Sequence, residues 1–147
     1  MKYLLSLIVI PLLLISCGSD NPEHQEQEKL WDEMMVIHDD VMPKMGQINK
    51  LSRTLRKHLK NNKETIAENE VQKIEASVKL LTDAHDGMME WMNVNGGFTK
   101  LRSVRADKDH AGVLKYIEKE TASIENVKKM MLESIKSGEA LKNELNL

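Results

Sequence analysis

The feature that most constrains this chain is a threefold run of apolar residues at alternating spacings of four and three. Met34, His38, Val41, Met45, Ile48, Ser52, Leu55 and Leu59 trace the first stripe. Ala67, Val71, Ile74, Val78, Leu81, His85, Met88 and Met92 trace the second, and Leu114, Ile117, Thr121, Ile124, Val127, Met131 and Ile135 the third. Such spacing puts side chains on one face of an α-helix and, when sustained, makes a coiled-coil seam. No strand-like alternation of useful length competes with it. The fold class expected is therefore all-α, an elongated antiparallel three-helix bundle. Asn61-Asn62 break the pattern briefly enough to make the first two helices antiparallel neighbours. Asn95-Gly96-Gly97 stop the second helix, and a polar connection to about Asp107 lets the third return alongside. Helices of about thirty residues are rods of roughly 45 Å.

Pro43 falls inside the first stripe. It removes the hydrogen bond to the Asp39 carbonyl and crowds it, at a cost of about 3 kcal/mol. The stripe continues on both sides, so the expectation is a kinked helix; a split at Pro43 would add a short extra helix.

The N-terminus carries another pattern. Lys2 precedes an apolar run, Leu4 to Ile15, interrupted only by Ser6 and Pro11. About a dozen residues suit the apolar region of a signal peptide, whereas a membrane span needs about 20. The run ends in Leu14-Ile15-Ser16-Cys17, which resembles the lipobox of bacterial lipoproteins. That resemblance implies cleavage after Ser16 and lipidation of Cys17, with palmitate among the acyl groups. The organisation expected is a signal peptide at 1–16, a lipidated cysteine and flexible tether at 17–27, and a helical domain at 28–147. Gly18, where an Asp would favour inner-membrane retention, points to the outer membrane, at its periplasmic face or the cell surface.

Composition and motifs narrow the function classes. Against 21 Lys and Arg stand 23 Asp and Glu, well mixed along the chain, so no basic field for nucleic acid exists. The single cysteine is the lipidation candidate, which leaves no disulfide to form. The chain lacks a glycine-rich phosphate loop, a nucleophile elbow, a CxxC pair and an HExxH helix. No carboxylate falls on a stripe where burial would tune it for catalysis. The expectation is no enzyme.

Two stretches remain. LWDEMMVIHDDVMPKM at 30–45 and LTDAHDGMMEWM at 81–92 each set a His-Asp pair among methionines. Folding the chain back at residues 61–62 sets His38 opposite His85, Met34 opposite Met89, Met35 opposite Met88 and Trp31 opposite Met92. Imidazole and thioether donors from His38, His85, Met34, Met42, Met88 and Met89 would suit copper(I). Asp39 and Asp86 point about 100° away from their histidines in a regular helix; they could order the rings without binding the ion. The competing reading is a core filled by methionine, which adapts to irregular gaps, in a chain with one Phe, two Tyr and two Trp. The adjacent pairs Met34-Met35, Met88-Met89 and Met130-Met131 cannot both face one seam, so one of each would make adaptable surface for a partner. His24 belongs to the tether, His58 to the surface, and His110 to an exposed first turn of the third helix.

IHDDVMPKM together with AHDGMMEWM resembles a group of Bacteroidota lipoproteins, some bearing the label "viral A-type inclusion protein". The resemblance implies a lipid-anchored helical protein and carries no activity or site residues. The function expected is thus a non-enzymatic helical envelope protein, held to the membrane by its lipid, with a structural role or an envelope protein as partner and no cofactor. The alternative is a periplasmic or surface copper-binding protein using the His/Met cluster between helices one and two.

Overall fold

The computed structural model describes residues 21–62, 64–95 and 99–147. The expected signal peptide, Cys17 and residues 18–20 of the tether lie outside them. Among the described residues the chain is helix and turn, without strand. No helix there is long and apolar enough to cross a membrane.

Helix α1, Pro22–Val41, starts earlier than expected. The Asn21 side chain accepts a hydrogen bond from the Glu23 amide at 3.0 Å, and Pro22 occupies the first helical turn, where its missing N–H costs nothing. Residues 22–27 are therefore helix rather than flexible tether, and the folded domain begins about six residues before position 28. Their anchoring is polar: Gln27 is buried on the face that carries Trp31, Met34 and Val41.

At Pro43 the helix neither ends nor runs on regularly. The Met42 amide still reaches the His38 carbonyl, but the Met45 amide bonds to Met42, so Met42–Lys44 tighten into one 3-10 turn. Helix α2, Met45–Asn61, then continues the rod. It ends where the Asn62 side-chain amide and backbone N–H both donate to the His58 carbonyl, at 2.9 and 3.1 Å. Helix α3 spans Glu68–Asn95, α4 spans Thr99–Asp107, and α5 spans His110–Glu144 with Asp109 as its cap. At the far end of α5, Asn146 takes a left-handed conformation (φ 55°) and the Leu147 amide closes back on the Lys142 carbonyl.

Counting the α1–α2 rod as one, the described residues form four helices, not three. The fourth, α4, occupies the stretch expected as a polar connection. Leu101 and Val104, three residues apart on one face, are buried and explain why it forms. Paired contacts give the directions of the long rods. Gln27 meets His110 and Asp40 meets Lys128, so α5 runs parallel to α1–α2. Trp91 meets Glu120 and Lys73 meets Glu144, so α3 runs antiparallel to α5.

The buried positions keep the expected period but shift its phase. On α3 they are Ile74, Ser77, Leu81, Ala84, Met88, Trp91 and Asn95; on α5 they include Val113, Ile117, Glu120, Ile124, Val127, Met131, Ser134, Gly138 and Leu141. Val78, His85, Met92, Leu114 and Thr121, expected on the seams, sit at their edges. A helix flanked by two neighbours buries a broad stripe, and its centre is set by both neighbours rather than by the most apolar line of residues. In each adjacent methionine pair one member is in the core and the other is partly or well exposed: Met34, Met88 and Met131 against Met35, Met89 and Met130.

Candidate functional site

The position of the α2–α3 turn decides which histidine meets what. Helix α2 stops at Asn61 and α3 starts at Glu68, so the turn is centred between residues 64 and 65 rather than at 61–62. Moving that centre by three residues moves each partner on α3 by six. His38 accordingly faces Trp91, not His85: the two rings stack with centroids 5.5 Å apart and planes at 24°. His85, six residues back along α3, is displaced by about 9 Å of helix rise. The six residues expected to share copper(I) are thus not gathered. Met34 and Met88 are in the core, Met42 is half-buried at its edge, and Met89 is 41% exposed.

Both histidines do engage the aspartate beside them. His38 Nδ1 lies 2.8 Å from Asp39 Oδ1, and His85 Nδ1 lies 3.1 Å from Asp86 Oδ1. A carboxylate accepts only, so each ring donates to its aspartate through Nδ1 and turns Nε2 away from it. For His38 that Nε2 is buried and has no hydrogen-bond partner. Among the described residues no three His, Cys, Asp or Glu side chains gather in a metal-binding geometry.

The most organised polar chemistry lies nearby, where α3 and α5 meet below α4. Asn95 is fully buried; its amide donates to Glu120 Oε2 at 2.8 Å, and its carbonyl accepts from the Tyr116 hydroxyl at 2.7 Å. The Trp91 indole N–H donates to the Glu120 main-chain carbonyl at 3.2 Å. Glu120 itself is only 5% exposed, and its second oxygen meets Lys119 at 3.3 Å. Burial, with the Glu120 charge added, holds the Tyr116 hydroxyl proton on above the ordinary tyrosine range. The expectation that no carboxylate occupies a seam was incorrect. Counting from Val113 instead of Leu114 would have placed Glu120 on it.

A second polar cluster pins α4 to the start of α1. Arg105 donates through Nε to Gln27 Oε1 at 2.6 Å, through Nη1 to Glu28 at 2.9 Å and through Nη2 to the His24 carbonyl at 2.7 Å. With its oxygen so engaged, Gln27 donates its amide to His110 Nδ1 at 2.9 Å, which leaves His110 Nε2–H facing Glu26 at 3.2 Å. His110 is therefore part of a network rather than an exposed first-turn residue. His58 is likewise not free surface: it bridges the Asn62 amide and Glu70 across the α2–α3 turn. Residues 22–27 carried no apolar signal, so only the capping pair Asn21-Pro22 could have announced this cluster.

Two open grooves flank these networks. One, of about 570 Å³ between α3 and α5, is lined by Asp83, Asp86, Glu90, Lys119, Asn126 and Met130 among others. The other, about 520 Å³ between α1 and α5, has a floor of Leu30, Met34, Ile37, Leu114 and Ile117. Its edges carry Glu33, Glu118 and Glu125, and no cationic side chain lines it. Comparison with protein-family models, curated proteins and solved structures gave no match to this chain.

Proposed function

We propose that this chain is a lipid-anchored, non-enzymatic helical protein of the cell envelope whose work is to hold a partner protein. In this reading Cys17 carries the lipid, and the three long rods form the elongated bundle that α4 clasps at one end.

 The observation that carries the reading is the groove between α1 and α5, an apolar floor edged by three glutamates with no cation among its lining residues. An occupant that matches it is an amphipathic helix, with apolar side chains along one stripe and Lys or Arg beside them. Methionine and leucine at such a floor adapt to different side-chain shapes.

The test is a pull-down of cross-linked complexes from the native envelope, using a photo-reactive residue at Ile37. The reading expects a product lost on Leu114→Glu and weakened on Glu118→Lys, but kept on Leu80→Glu, a change at an exposed apolar residue outside the groove. Equal capture by all three variants contradicts it. The anchor is tested separately: metabolic labelling with palmitate should mark the wild-type chain and not Cys17→Ser.

A further inference from the structure

We infer that the occupant of the groove between α1 and α5 is a second copy of this chain, packed antiparallel about a twofold axis near the Asp40–Lys128 pair. This names the partner that the docking reading leaves open, and it rests on that reading.

The face that carries the groove reverses its charge along its length. Asp40 and Lys128 meet at 2.7 Å and divide it in two. Toward the N-terminal ends of α1 and α5 lie the apolar floor and the carboxylates of Glu33, Glu118 and Glu125. Lys29 reaches Glu33 at 3.8 Å, while Glu118 and Glu125 are exposed. Beyond the dividing pair the cations collect. Lys44 stands close enough to Asp40 to act on its charge, and Lys50 and Lys142 line a recess between α2 and α5 with Leu51 and Thr54. Glu139, the acid of that recess, is bonded to Gln47. Leu132, 40% exposed, follows Lys128 by four residues, and Lys136 follows Leu132 by four, so both lie on the side of α5 that faces α1 and α2. Together they make an apolar stripe with lysines beside it, which is what an acidic groove with an apolar floor accepts.

Turning one copy end over end lays the acidic half of each on the cationic half of the other. Glu118 lies ten residues before Lys128 and Lys136 eight after it. The twofold therefore brings Glu118 of each copy to within about 3 Å of helix rise of the other's Lys136. Leu132 comes to the level of Ile124, over the end of the groove that Thr121 and Glu125 line. Each contact occurs twice, as an isologous pair requires. A parallel pair would hold acid against acid and cation against cation at every level, which selects against it. The face is large enough. Leu30 to Thr54 is about 36 Å of helix, and two rods about 10 Å apart offer roughly 700 Å² per copy. A standard stable interface takes about 800 Å² from each partner. Because the axis runs across the rods, both copies can be anchored to one membrane with the rods lying flat along it.

The experiment expresses two copies of the full chain with different tags in the native envelope, each with a photo-reactive residue at Ile37. The expected product has twice the chain mass, carries both tags and is joined near Lys44 or Leu132 of the other copy. Glu118→Lys or Lys136→Glu, each placed in both copies, should cut this product about tenfold or more by setting like charges together. Glu118→Lys in one copy with Lys136→Glu in the other restores opposite charges at both contacts, so the product should return. A two-tag product unmoved by the single changes, a mixed pair that fails to recover it, or joining at Ile37 of the other copy overturns the inference. So does a product of another mass, which leaves the docking reading standing where Leu114→Glu removes it. No product of any mass overturns both.

Discussion

Where α2 turns into α3, the long rods meet through Leu51, Leu55, Ile74, Leu81 and Leu141, and Gly138 lets the leucines close in. Where α4 closes the other end, the same heptad positions hold Gln27, Asn95 and Glu120. The first end is held by area removed from water, which is indifferent to which leucine meets which. The second is held by donors with specific acceptors: Asn95 to Glu120, Tyr116 to Asn95, Trp91 to the Glu120 carbonyl, Arg105 to Gln27. A slide by one heptad would leave apolar contacts at the first end nearly intact and strand buried polar groups at the second. Our hypothesis is that the apolar end supplies most of the stability and the polar end fixes the register.

The largest effect that sharpens this contrast is at the apolar end. Leu81→Ala, at a fully buried position, should cost about 2–5 kcal/mol by chemical denaturation. A loss below about 1 kcal/mol would mean that the site collapses freely and the leucine layer is not the main support.

Next comes the polar end. Asn95→Leu alone leaves the Tyr116 hydroxyl and a Glu120 oxygen without their partner, and should cost about 1–3 kcal/mol. Adding Glu120→Leu should recover much of that loss, while broadening the spectrum of the folded state as alternative registers become populated. Full recovery with a single sharp set of resonances would show that the network does not set register.

Smaller still are the glycines. Gly46 lies in α2 with no atom within 4 Å of an added methyl, so Gly46→Ala should raise stability by about 0.5–1 kcal/mol. At Gly138 the same methyl would stand 3.3 Å from Leu51 and 3.4 Å from Leu81, so Gly138→Ala should gain less than Gly46→Ala. Thermal melts of the two variants compare them directly, and the opposite order would put the tight apolar layer elsewhere.

The smallest effect is on the surface between the two ends. The Lys128 ammonium, 2.7 Å away, hydrogen-bonds Asp40 and holds its carboxyl below the ordinary carboxylate range. A lowered folded value means stability that is present above the ordinary Asp pKa and lost as pH falls through the depressed one. Asp40→Asn should therefore melt slightly below wild type at pH 7 in low salt, match it in strong acid, and lose the difference in high salt. A difference that persists in acid would need another cause.

How much of this could be read from residues alone follows the same division. The 3-4 period of leucine, isoleucine and methionine gave the helices, their direction at the first turn and the methionine pairs split between core and edge. It could not give their phase, since adjacent apolar residues such as Val113-Leu114 satisfy the period equally well. Nor could it place the turn centre, because Thr65 and Ile66 fold back onto the Asn62 carbonyl and belong to the turn rather than to α3. That three-residue error moved His85 away from His38 and put Trp91 there. Residues 22–27 were missed because a cap and the hydrogen bonds of Arg105 hold them and leave no periodic trace, and 99–107 because one apolar pair, Leu101 and Val104, is too short to show a period.

The stack of His38 on Trp91 depends on the turn, the register and the polar end at once. The direct measurement is a nuclear Overhauser spectrum of the protein with selectively labelled histidine and tryptophan. Cross-peaks between the His38 ring and the Trp91 indole are the expected result. Cross-peaks between the His38 and His85 rings, with none to Trp91, would place the helices in the other register and contradict the account.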